Sequence, residues 1–291
     1  MFFFFPYQVD VPMQRLPLAN LFLIAATVVI SVLAMMDPEG MLRDWVLWRD
    51  ENFRVYQLLT NLFVHAGILH LVGNLIFLFT FGNAINAKLG HWQFLSLYLG
   101  IGLLESLLWY MTGPGQASLG ASGAIMGVVG MFLILYPRND VTCFWMFFLR
   151  IGTFSISSYW LILLYILFDV WGLASAQGGT NYVAHVGGMV MGVGVIAGLV
   201  MAGLIRSEPT EENLLEILGW VKKEPPVPSG AGLRDNANGA GGGLRDYVVH
   251  GADRETGFTT SFAVRAASEA EARMKASQEG VVATDIEVGR K

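Results

Sequence analysis

Three short clusters of polar residues, set in otherwise apolar runs, carry the chemistry this sequence offers. Polar groups in lipid are costly, so each one needs a partner or a use. The first cluster is Gly120-Ala121-Ser122-Gly123, at the start of an apolar stretch. A serine there stands at a helix amino terminus, where unpaired N–H groups and the helix dipole favour negative charge. A tetrahedral oxyanion needs that environment. Gly120 and Gly123 flank the serine and admit a substrate backbone. Gly123 directly follows the serine, so this is not the Gly-x-Ser-x-Gly elbow of soluble hydrolases. The Gly123/Gly127 pair also reads as a small-residue packing face.

The second cluster is Ala184-His185-Val186-Gly187-Gly188, which opens another apolar stretch. An imidazole can take a serine proton and later return it. Gly188/Gly192 and Gly194/Gly198 give this stretch two small faces. Such faces allow the close approach that a direct Ser122–His185 hydrogen bond requires. A buried histidine donating to a carbonyl is the plainer alternative. The third cluster runs from His65 to Asn74. His70 and Asn74 are four residues apart and share one helix face, where both can point at one oxygen. His65 lies about 140° from His70 round a helix, on a different face. Zinc held by His65, His70 and His185 is weighed and set aside, because no His-Glu-x-x-His or completing aspartate accompanies them. Glu105 and Asp169 lie in apolar stretches without a Gly-x-Gly-Asp context, so they are expected to pair locally and not to form a two-aspartate protease. No metal and no cofactor is expected.

These clusters need a scaffold, and the composition says which. The chain has 291 residues, 54% hydrophobic and only 14% charged, against about 25% charged in soluble domains. Its mean hydropathy is +0.52. A spanning helix takes about 20 apolar residues. Six stretches qualify in whole or in part: 16–36, 68–85, 94–111, a short one at 121–136, 158–173 and 182–205. Residues 141–155 are aromatic but interrupted by Arg150 and Gly152, and read as an interfacial segment. The Phe-rich start, cut by Pro6, reads as an interfacial anchor and not as a signal peptide. Lys and Arg in the short loops place both termini in the cytoplasm: Arg15, Lys88, Arg138, Arg150, Arg206, Lys222 and Lys223 on one side, acid-diluted Arg43, Arg49 and Arg54 on the other. The lack of a transit peptide points to a bacterial plasma membrane. The net charge of −5 has no basic concentration, so nucleic acid is not an expected partner. The single cysteine, Cys143, allows no internal disulfide and reads as a packed thiol.

The expected organisation has four parts: an amino-terminal segment (1–15), an all-α six-helix membrane domain (16–206), a linker (207–246) with a short amphipathic helix expected at 210–220, and a small soluble unit (247–291). The linker holds Pro225-Pro226-Val227-Pro228 and a Gly-rich run, with Gly-Leu-Arg-Asp twice, at 232–235 and 243–246. The last unit reads as α+β, in the order ββαβ. Strands are predicted at 247–250, 258–266 and 281–288, with a helix opened by Ser268 and Glu271 as a capping box and ended by Gly280. A unit of that size has a marginal core and is expected to dock on a partner or self-associate.

Taken together, the clusters resemble the rhomboid family of intramembrane serine proteases, over roughly residues 45–205. The carriers are His70 and Asn74, the Gly-Ala-Ser-Gly turn at Ser122 and the Ala-His-x-Gly-Gly run at His185. They stand on the second, fourth and sixth predicted spans, and Trp48-Arg49 looks like the family's Trp-Arg pair. The resemblance implies a Ser122–His185 dyad with no acidic third member. It implies an oxyanion site from His70, Asn74 and the Ser122 N–H. It also implies membrane-protein substrates that enter sideways from the bilayer. Met126 stands where the family often has Tyr or Phe against the histidine, and Asn86 where it often has Glu. Two other classes compete: an inactive rhomboid-like client-binding protein, and a channel or transporter. Four retained polar groups argue against the first, and the lack of an inverted repeat against the second.

Overall fold

The computed structural model describes residues 2–148, 150–175, 181–207, 211–223, 245–253, 259–278 and 281–288. The Pro/Gly linker at 224–243, both Gly-Leu-Arg-Asp copies in whole or part, most of the loop at 177–181, Phe258 and Gly280 lie outside them. The chain forms two units, Met1–Lys223 and Glu224–Lys291.

The first unit is built on apolar helices. Among the described residues, four are long and apolar enough to cross a membrane: α1 (Leu18–Met36), α2 (Ile68–Leu89), α3 (His91–Thr112) and α6 (Tyr182–Met201). Two more apolar helices are shorter, α4 (Ser122–Leu135) and α5 (Ser158–Ala174). With Pro38, the Gly113-Pro114 pair and Pro137 just past their ends, α1, α3 and α4 stop where the chain loses helical backbone bonds. The 14 residues of α4 reach only about 21 Å, short of a hydrocarbon core of about 30 Å. All but Ser122 and Leu133 of them are buried, so α4 is the pillar round which the others pack.

Glycine sets how closely they pack. A Cβ on Gly188 of α6 would run into the carbonyl oxygen of Gly123, and one on Gly192 into that of Gly127. Both numbers advance together, so α4 and α6 run parallel. The Gly123/Gly127 packing face and the nucleophile turn are therefore one feature. Gly194 and Gly198, the other small face, meet no other described atom within 4 Å of a Cβ.

The unit is not all-α. Strand β1 (Phe2–Val9) pairs antiparallel with β4 (Asp140–Phe147), which pairs with β5 (Arg150–Ser157). This three-stranded sheet replaces both the interfacial anchor and the interfacial segment. At its hairpin end Phe147 pairs with Arg150, and Phe148 has φ 53°. Alternation explains it: Val141 and Cys143 point into the core and are fully buried, between half-exposed neighbours. Near the site, a two-residue ladder joins β2 (Leu47–Trp48) to β3 (Ala117–Ser118).

The second unit has β6 (Arg245–Asp253) between β7 (Thr259–Ala266) and β8 (Val281–Val288), with α7 (Glu269–Gln278) joining the outer two. All pairings are antiparallel. The helix starts as a capping box would have it, with one change. Ser268 Oγ accepts the Glu271 N–H at 3.2 Å, but the Glu271 carboxylate reaches back to Ala267 N–H, at 2.9 Å. Ala272 and Ala276 of this helix cover Tyr247, Val249 and Val264, a core of small residues.

Candidate active site

Ser122 is the first residue of α4 and is half-buried. The turn that delivers it is held from three sides. Gly120 has φ 112°, open to glycine and strained for other residues. A Cβ there would stand 2.7 Å from His70 Cε1, so the His70 ring presses on the turn itself. Gly120 N–H donates to Asn61 O at 2.9 Å, and Ala121 N–H donates to His65 Nε2 at 3.4 Å. With Nε2 accepting, His65 carries its proton on Nδ1 and gives it to Ser31 Oγ at 2.9 Å. Ser31 donates onward to Phe63 O at 2.7 Å. Both ring nitrogens of His65 are thus taken by protein partners. This histidine holds the serine turn, a role its position on a separate face did not reveal.

The loop before α2 braces the same turn. Arg49 N–H donates to Gln116 O at 2.9 Å, continuing the β2–β3 ladder. The Arg49 guanidinium lies 4.9 Å over the Trp109 ring and donates to the Trp109 carbonyl. Trp48 Nε1 donates to Arg43 O at 2.7 Å. The Trp-Arg pair therefore fastens the loop to α3 and to the strand that leads into Ser122.

His185 lies in the first turn of α6. Asn181 starts that helix: its Oδ1 accepts the Ala184 N–H at 3.2 Å, while its Nδ2 donates to Ser118 Oγ at 2.9 Å. One residue thus ties the histidine helix to the serine strand. His185 and Gly188 share a helix face, and Gly188 abuts Gly123. The parallel seam therefore sets His185 beside the start of α4.

Two expectations need correction here. No hydrogen bond joins Ser122 Oγ to His185 in this structure; the histidine bonds through Nδ1 to Asp169 Oδ1 at 3.1 Å. The pair is therefore open, and an acid does accompany the histidine. Asp169 is an ionisable group in an apolar span whose partner is legible only in three dimensions. Asn74 is buried, and its Nδ2 donates to the His70 carbonyl at 2.9 Å. Of the predicted oxyanion pair, it is the His70 ring that abuts the serine turn. Glu105 is buried with its carboxyl against Gly123.

The Rhomboid domain model matches residues 52–202, about half of the chain. The chain belongs to the rhomboid family. This rhomboid is 34% identical over 159 residues to the mitochondrial Rhomboid protein 1 of Saccharomyces cerevisiae, covering 51% of this chain and 43% of the relative. It is 32% identical over 144 residues to Rhomboid protease GluP of Bacillus subtilis, covering 50% and 26%. It is 27% identical over 192 residues to the mitochondrial Presenilin-associated rhomboid-like protein of Bos taurus, covering 65% and 45%. The chain spans about half or less of the length of these relatives. With its long apolar helices, the rhomboid is a multi-pass membrane protein.

Proposed function

We propose that this rhomboid is an intramembrane serine endopeptidase, with Ser122 as nucleophile and His185 as its base. The observation that carries the reading is the glycine seam. Gly188, three residues after His185 on α6, packs against Gly123, which directly follows Ser122 at the start of a short, enclosed helix. In the reaction, Ser122 Oγ attacks the scissile carbonyl and its proton passes to His185 Nε2. The oxyanion forms at the amino terminus of α4, against the Ser122 N–H and the His70 ring, with Asn74 and Gly120 shaping the same pocket. The proton then leaves with the amine, and water releases the acyl group. Catalytic bonds are commonly longer before substrate binds, so the open pair closes as the substrate enters. Substrates are membrane-spanning segments unwound near the level of Ser122. Six helices cross the bilayer, with both termini in the cytoplasm of a bacterium and residues 247–291 as a separate soluble domain.

The open Ser122–His185 pair favours one rival, a client-binding rhomboid without catalysis. A reporter bearing a helix-destabilised transmembrane segment separates the two in liposomes. Wild type is expected to cut it; Ser122→Ala and His185→Ala lose cleavage at least 10³-fold, in the range for removed triad members. Cleavage by the alanine variants at the wild-type rate refutes the assignment. An intact reporter with folded wild type supports the binding protein.

A further inference from the structure

Beyond the dyad lies a third group. We infer that Asp169 is a positioning residue that holds His185 in its working tautomer, which makes the centre a Ser–His–Asp arrangement. This rests on the protease reading above. Asp169 Oδ1 is 3.1 Å from His185 Nδ1, and the two side chains are only 14% and 16% exposed. A carboxylate accepts and does not donate, so Nδ1 carries the proton and Nε2 is left bare to receive one from Ser122.

The surroundings are built for this contact. Asp169 and Gly172 are three residues apart on α5 and share a face. Gly172 has no Cβ because the Tyr182 ring fills that space. The same ring stands edge-on to His185, 6.3 Å between centroids. One face of α5 thus accepts the imidazole hydrogen bond and admits the aromatic ring that packs on the imidazole. Tyr182 and Asp169 together orient the imidazole. As Ser122 Oγ bonds to the carbonyl carbon, its O–H bond breaks and the proton goes to Nε2. The imidazolium formed is stabilised by the Asp169 carboxylate, which takes no proton. The imidazolium then returns the proton to the leaving nitrogen.

The full chain is compared with Asp169→Asn, Asp169→Glu and Asp169→Ala by two readouts. Cleavage of the transmembrane reporter gives kcat and KM separately. The ¹⁵N imidazole spectrum gives the His185 tautomer, assigned by the signal lost in His185→Gln. Asp169→Asn and Asp169→Ala are expected to lower kcat about 10- to 100-fold with KM within about twofold. Asp169→Glu restores most of it. The ¹⁵N signals of His185 shift from the Nδ1–H form to a mixture in the Asn and Ala variants. Unchanged kcat in both variants, or an unchanged tautomer, overturns the inference. Should Ser122→Ala cut as well as wild type, the protease reading fails, while the ¹⁵N spectra still decide the Asp169–His185 contact.

Discussion

The two ends of the membrane unit use polar groups in opposite ways. His70 and Asn86 stand at the two ends of α2, about 24 Å apart. At the Asn86 end, polar groups largely consume one another, with Asn20 Oδ1 the exception. Asn20 N–H donates to Asn86 Oδ1 at 3.1 Å, and Asn20 Nδ2 donates to Leu78 O and Asn83 Oδ1, each at 2.9 Å. Asn86 Nδ2 reaches His91 Nδ1 at 3.2 Å. Close by, Lys88 and Glu211 form an ion pair at 3.1 Å, both side chains almost wholly buried. At the His70 end, neither Ser122 Oγ nor His185 Nε2 makes a hydrogen bond among the described residues. Groups already satisfied hold a fold; groups positioned by neighbours and left unsatisfied are the ones available for chemistry.

Substitutions test that division, beginning with the seam that serves both ends. Gly188→Val drives a side chain into the Gly123 carbonyl. The expected result is loss of a folded membrane unit, by about 3 kcal/mol or more, read as a collapsed melting transition in detergent. A stable, active variant would show that the seam is slack. Gly120→Ala is next. It strains a positive φ and crowds His70, at about 1 to 3 kcal/mol. Because the displaced atoms belong to the site, cleavage is expected to fall further than the melting temperature does. Equal falls would make Gly120 purely structural. Asn20→Ala acts at the other end. It strips partners from buried Asn83 and Leu78 O, costing about 1 to 3 kcal/mol, while cleavage per folded molecule stays the same. A drop in kcat would show the two ends to be coupled. Smallest of all, Gly194→Ala meets no neighbour within 4 Å and should change stability by under about 0.5 kcal/mol.

Much of this was legible in the sequence because it is local. The start of α4 at Ser122 followed from Gly-Ala-Ser-Gly before an apolar run, and its end from Pro137. The Gly188/Gly192 face was visible as spacing; that it and not Gly194/Gly198 would meet α4 was not, since both read alike on a helical wheel. The sheet was missed because β1 finds its partner in β4, far along the chain. Its Phe run has no polar alternation to mark a strand, and residues 141–155 hide theirs behind aromatics. The Asp169–His185 bond and the His65–Ser31 relay escaped for a related reason: each crosses between helices whose rotation only packing decides.

That far-reaching sheet sets an order of events during synthesis. Phe5 faces Phe144 across the β1–β4 ladder. At a few to twenty residues per second, the strand made first waits roughly 7 to 30 s for its partner. Throughout that interval an aromatic, unpaired edge is exposed, and α1 to α4 must settle before it is covered. The ribosome, in effect, leaves one seam of this protein open until the fourth helix is in place.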